Sequence, residues 1–151
     1  MIYIVEGYGQ DVAAIMPVME TAFDPAFGEA WTESQCLSTL ALPGGNLLLA
    51  ISNNKVLGFT LSRWVVDEEE LLLIGVSPTG RRQGVGNRLI QSLTNNARQS
   101  GRASIFLEVR EGNPAQSFYQ VMGFQPFGRR PGYYKGKDGS RHDSITMLLK
   151  L

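Results

Sequence analysis

The chain predicts an α/β (α+β) fold, a mixed sheet flanked by helices in the order β-α-α-β-β-β-α-β-α-β-β. Three observations predict it. Strand-length apolar runs alternate with segments whose apolar residues recur at helical spacing. Three consecutive β-rich runs form a meander in mid-chain, and a glycine-rich turn then feeds the last of them into a helix.

Taken in order, Tyr3 to Glu6 reads as a strand, and Asp11 precedes Val12, Ile15, Met16, Met19 and Phe23 on one helical face. Pro17 within that face predicts a kink or a break. Asp24 to Trp31 reads as a loop leading to a second helix, capped at Thr32 with Gln35 completing a capping box. Pro43-Gly44-Gly45 ends this helix. Leu47 to Ile51 and Val56 to Val66 are β-rich runs joined by the hairpin signal Ser52-Asn53-Asn54-Lys55, and the acidic run Asp67 to Glu70 separates them from a third, Leu71 to Val76. Val85, Leu89, Ile90, Leu93 and Ala97 define the next helix, which Gly101 stops. Ile105 to Val109 is another strand. Asn113-Pro114 opens a short helix as cap and first residue, Gly123 closes it, and Phe124 to Phe127 and Ser144 to Leu149 supply the last strands.

The 151 residues suit a single domain, 1-151, and no repeat or linker divides them. Apolar runs fall far short of the ~20 residues of a membrane span. Fourteen basic and fourteen acidic residues cancel, which removes the basic field expected of a nucleic-acid binder. Met1 to Gly9 lacks a basic residue and carries Glu6, unlike a secretory signal, and Cys36 alone cannot form an internal disulfide. A cytoplasmic protein is expected. Cys36 reads as a small core hydrophobe, and His142 as a surface residue.

The segment Arg81-Arg82-Gln83-Gly84-Val85-Gly86 places backbone N–H groups at a helix N-terminus, where unsatisfied donors and the helix dipole favour an anion such as phosphate. Bare glycines would let the ligand approach the backbone. Gly86-Asn87-Arg88 does not match the Gly-Lys-Ser/Thr of a P-loop, and Leu89 replaces the third glycine of a dinucleotide fingerprint.

Val76-Ser77-Pro78-Thr79-Gly80-Arg81-Arg82-Gln83-Gly84-Val85-Gly86-Asn87-Arg88-Leu89 resembles the acetyl-CoA pyrophosphate motif of the GCN5-related N-acetyltransferases. Leu107-Glu108-Val109-Arg110, Phe118-Tyr119-Gln120-Val121-Met122-Gly123-Phe124, the tail from Arg129 to Met147 and Ala30-Trp31-Thr32 are similar to the ribosomal-protein-alanine N-acetyltransferase branch. The resemblance implies a splayed sheet holding acetyl-CoA. Ile74, Gly75 and Val76 would hold the pantetheine arm, and the amides from Arg82 through Asn87, beside Arg81, would cover the pyrophosphate.

Acyl transfer to an amine needs a neutral amine and groups to move protons. Roughly a tenth of α-amines, but under a thousandth of lysines, are neutral at pH 7. Strand alternation puts Glu108 on the face of Phe106, away from Ile105, Leu107 and Val109, as either a solvent-facing residue or, as the resemblance implies, the general base. Tyr119 is either an aromatic anchor against Phe118 and Met122 or the family's general acid. The family carries an Asn near the start of this helix, but Gly112-Asn113-Pro114 is one residue shorter. Asn113 is therefore the nearest candidate for a cofactor contact, and by structural rules alone the helix cap. Trp31, Tyr133 and Tyr134, in predicted loops, are either loop anchors or, as the resemblance implies, walls of the acceptor groove. Alternation places Glu68 and Glu70 in phase with Ile74 and Val76, where either could attract a cationic acceptor if the run is more than a solvated hairpin. The resemblance implies acetylation of a protein N-terminus, the alanine of ribosomal protein S18. Another amine acceptor and an idle acyl-CoA-binding module are the competing readings. No metal site is expected.

Overall fold

Asn53 and Asn54 adopt left-handed φ angles of 52° and 61°, which a two-residue hairpin turn requires. They join β2 (Gly45–Ser52) to β3 (Lys55–Val65), the centre of an antiparallel run that begins with β1 (Tyr3–Gly7) and ends with β4 (Glu68–Val76). The computed structural model describes residues 1–151 and shows seven strands in one sheet, ordered β1-β2-β3-β4-β5-β7-β6. β5 (Ser104–Arg110) is parallel to β4 and antiparallel to β7 (Arg141–Lys150), which pairs with β6 (Gln125–Lys135). The element order matches the expected one.

Alternate residues of β2 serve two cores. Leu48 and Ala50 pack beneath α3 (Val85–Gln99) with Leu89, Ile90, Leu93, Ile105 and Leu107. Leu47 and Leu49 pack with Val12, Ile15, Val18 and Met19 of α1 (Val12–Ala22) and with Cys36 of α2 (Glu33–Leu40). Thr32 and Gln35 form the expected reciprocal cap of α2, at 3.1 and 2.8 Å. The short helix α4 (Ala115–Val121) follows β5.

Four expectations change. Helix α1 is unbroken at Pro17: the residue is exposed, as is Ala13, whose carbonyl it frees, and the buried face holds both turns to the sheet. The acidic run is a strand, because the turn before β4 is Val66-Asp67; Glu69 is 3% exposed and accepts from Ser62 Oγ at 2.7 Å. The register shifts from Leu61 opposite Leu73 to Ser62 opposite Leu71, so Leu72 is an extra residue. That bulge reverses the facing of β4. Leu71 lies in the α3 core but Leu73 in the α1 core, and Glu70 is therefore out of phase with Ile74, contrary to simple alternation. Finally, Tyr133 and Tyr134 stand on β6 rather than in a loop; this edge strand is mostly exposed and so lacks the apolar alternation that marks a strand.

Candidate active site

β4 and β5 pair only at Glu68 with Ser104, Glu69 with Ile105 and Glu70 with Phe106. Past Glu70, where the bulge lies, they separate around a cleft of about 920 Å³. Ser77 N–H donates to Leu57 C=O at 2.8 Å. By alternation the backbone groups of Gly75 also face β3, while those of Ile74 and Val76 face the gap. Arg81 Nε donates to the Val76 carbonyl at 3.3 Å, which leaves Ile74 N–H and C=O and Val76 N–H without a strand partner. Gly75 does not reach the cleft as expected: Phe59 and Ala22 fill the space a Cβ would take.

Arg81 to Gln83 form a 3-10 turn, and Gly84, at φ +71°, turns the chain into α3. The first intrahelical bond is Arg88 N–H to Gly84 C=O. The N–H groups of Arg82, Gly84, Val85, Gly86 and Asn87 consequently have no protein acceptor. Gln83 departs from the expected set, since its N–H donates to Gly80 C=O and its side chain to Thr79 C=O. Gly84, Gly86, Asn87 and Arg81 line the cleft. Arg81 also donates to Thr21 C=O at 3.2 Å and so ties the loop to α1. A Cβ at Gly84 would meet nothing within 4 Å, whereas one at Gly86 would stand 3.2 Å from Phe118 Cζ, so Gly86 serves close packing as well.

Glu108 is on the face expected from alternation, but it does not face solvent: its side chain is 6% exposed. Its carboxylate accepts from Ser144 Oγ at 2.8 Å and from Thr146 Oγ1 at 2.9 Å, and lies 3.4 Å from Arg130 Nε. Register explains the contacts, because β7 sets Thr146 opposite Glu108 and Ser144 opposite Arg110. Tyr119 is buried between Phe118 and Phe124, with ring centroids 5.5 and 6.0 Å away, yet it lines the cleft and its hydroxyl makes no hydrogen bond with the protein. Burial, then the nearby Glu29 charge, pushes its phenol far above the ordinary range. Asn113 Oδ1 accepts from Ala115 N–H at 2.9 Å, the capping contact expected, and its residue also lines the cleft.

The opposite end of the cleft gathers Trp31, Tyr133, Tyr134, Glu29 and Glu70. Tyr134 donates its hydroxyl to the Glu108 carbonyl at 3.0 Å, and the two tyrosine rings meet edge to face at 4.9 Å. Glu70 shares a face with Glu108 and makes no hydrogen bond or ion pair, whereas Glu68 is exposed outside the cleft. Burial and the Glu108 charge raise the Glu70 carboxyl above its ordinary range. Glu29 is a site residue that sequence reading missed, since a charge in a loop carries no periodic signal. His142 is half-buried rather than superficial, edge-on to Phe27 at 5.4 Å.

The model of the "Acetyltransferase (GNAT) family" matches residues 13–124. The chain belongs to this family. Within the GNAT family it is similar to the "[Ribosomal protein bS18]-alanine N-acetyltransferase" of Haemophilus influenzae, 34% identical over 69% of this chain and 71% of that protein. The protein of the same name from Escherichia coli K12 is 37% identical over 66% of this chain and 67% of its own length. Among solved structures, the ribosomal-protein-S18-alanine N-acetyltransferase from Escherichia coli superposes with a TM-score of 0.88 at 31% identity, covering 99% of this chain and 94% of that one. GNAT acetyltransferases use acetyl-CoA as a general rule. No helix of this GNAT chain is long and apolar enough to cross a membrane.

Proposed function

We propose that the chain is a single acetyl-CoA-dependent Nα-acetyltransferase domain, 1-151, that acts in the cytoplasm on the N-terminal alanine of ribosomal protein S18. One observation carries the reading: the unpaired amides of Gly84, Gly86 and Asn87, an unpaired strand edge and the Glu108 carboxylate open into the same cleft. The names of the relatives at 34% and 37% identity support the acceptor.

The cleft fits acetyl-CoA on its own features. The N–H groups of Arg82, Gly84, Val85, Gly86 and Asn87 would receive the pyrophosphate at the positive end of α3, with the exposed Arg82 guanidinium at hand. Ile74 and Val76 offer strand-type donors and an acceptor to the amides of the pantetheine arm. The Asn113 carboxamide keeps its NH₂ free for the cofactor, because its oxygen serves the cap. When bound, acetyl-CoA supplies an activated acetyl thioester.

The chain's own residues manage the protons. Glu108 accepts one from the α-ammonium or α-amine, directly or through water, and the hydroxyls of Ser144 and Thr146 hold its carboxylate in place. Tyr119, protonated at neutral pH as a phenol ordinarily is, serves as the acid toward the departing sulfur. Trp31, Tyr133 and Tyr134 wall the acceptor end, and the unpaired Glu70 draws the cationic amine into it.

The test is a panel of N-terminal peptides, lysine peptides and small amines incubated with acetyl-CoA and read by mass spectrometry. Acetylation at the α-amine of an alanine-initiated S18 peptide is the expected result. Turnover only with lysine or small amines would assign another acceptor, and acetyl-CoA binding without any turnover would leave a binding module.

A further inference from the structure

The residue after next to Glu108 on β5 is Arg110, and it lies outside the cleft with a side chain only 12% exposed. Its Nε stands 3.2 Å from Glu29 Oε1, and its guanidinium carbon lies 3.6 Å over the Phe27 ring. Both partners belong to the loop between α1 and α2 that carries Trp31 into the cleft. The same loop is tied on its other side, where Lys137 N–H donates to Ala26 C=O at 3.2 Å and the Phe27 ring meets His142. Gly28, at φ +64°, brings the backbone so close to Lys135 that a Cβ would stand 3.0 Å from its carbonyl oxygen.

We propose that Arg110 is a positioning residue for the acceptor: by gripping Glu29 and Phe27 it holds the loop of residues 24–31 against the cleft in register with Glu108. The assignment of this end of the cleft to the acceptor rests on the function proposed above. The physical reason is that one rigid strand carries both groups. Arg110 and Glu108 are alternate residues of β5, about 6.6 Å apart along the strand, so a loop gripped by Arg110 keeps a constant offset from the Glu108 carboxylate. A planar guanidinium can pair with a carboxylate at its edge while stacking on an aromatic face, which an ammonium cannot do. The segment contributes no fully buried side chain to either core, and Trp31 packs only partly buried against one of them. Glu29 also lies near enough to Tyr119 and Tyr134 to act on their phenols, so pairing with Arg110 offsets a negative charge that would otherwise stand unbalanced beside them.

The experiment is a double-mutant cycle with Arg110→Gln, Glu29→Gln and the double variant, in which acceptor KM, kcat and acetyl-CoA affinity are measured separately. Each single variant is expected to raise acceptor KM about tenfold with unchanged acetyl-CoA affinity, and the double variant no further than either. Independent, multiplying effects would overturn the proposal, as would an unchanged acceptor KM or an equal loss of cofactor affinity. Arg110→Lys keeps the charge where Arg110→Gln fails to fold, and is expected to lie between wild type and Arg110→Gln in KM. Hydrogen exchange reads the clamp without any turnover: Arg110→Gln should speed exchange in residues 24–31 and leave α3 protected. Unchanged exchange there would refute the clamp, whereas a wild-type protein that acetylates no peptide would refute the proposed function instead.

Discussion

Ser144 donates its hydroxyl to the Glu108 carboxylate at 2.8 Å, from the neighbouring strand β7. The donor is completely buried, so the bond fixes where the carboxylate stands. Glu108→Gln should lower kcat by about 10²–10⁴ and leave acetyl-CoA affinity intact, because it keeps the shape and removes the proton acceptor. A hydrogen bond to a charged group is worth about 1.5–3 kcal/mol, so Ser144→Ala should lower kcat roughly tenfold or more. Steady-state kinetics of both variants, beside cofactor titrations, check the pair. Full activity in Glu108→Gln would move the base elsewhere in the cleft, first to Glu70.

Tyr119 combines a packed ring with a hydroxyl that has no protein partner. Removing only the hydroxyl should therefore leave the fold almost unchanged while kcat falls toward the lower end of the ~10²–10⁴ range for general acids. Tyr119→Ala should instead lose about 3–5 kcal/mol of stability through the cavity it leaves. Thermal midpoints and kcat for Tyr119→Phe and Tyr119→Ala separate the two roles, and normal turnover in the phenylalanine variant would reduce the residue to a ring in the core.

Gly84 sits at φ +71° with open space around its missing Cβ, so substitution meets a conformational cost and no clash. Gly84→Ala should cost about 1 kcal/mol of stability and weaken acetyl-CoA modestly. Gly84→Asp adds a negative charge among the unpaired amides and should weaken acetyl-CoA by more than tenfold. Calorimetric titration distinguishes them; equal affinity for the aspartate variant and wild type would remove the pyrophosphate from this turn.

The Glu70 carboxyl titrates above its ordinary range because it is partly buried and faces Glu108. The folded state thus binds this proton more tightly than the unfolded chain, and stability falls as pH rises from the ordinary glutamate value through the raised one. Glu70→Gln removes that loss. It should raise the thermal midpoint at pH 7, leave it unchanged below about pH 4, and lower kcat/KM for a cationic acceptor. Melts at the two pH values test the sign. A lower midpoint at pH 7 would mean that the carboxylate is stabilised by a partner.

The chain order of elements, the capping box at Thr32, the hairpin at Asn53-Asn54 and the glycine turn into α3 at Gly84 were all legible in the sequence. Each depends on residues within a few positions of one another, so local conformational preference decides it. The face of Glu108 was legible for the same reason, since it needs only the period of a strand. The bulge at Leu72 was not: a single extra residue leaves no mark on composition, and it appears only when β4 is paired with β3. It is the tertiary structure that turns Glu70 into the cleft and keeps Gly75 out of it. The partners of Glu108 on β7, and the grip of Arg110 on Glu29 across 81 positions of chain, likewise exist only after distant segments meet. Sequence determined which local pieces form, whereas register and packing between pieces far apart in the chain decided which side chains share the cleft.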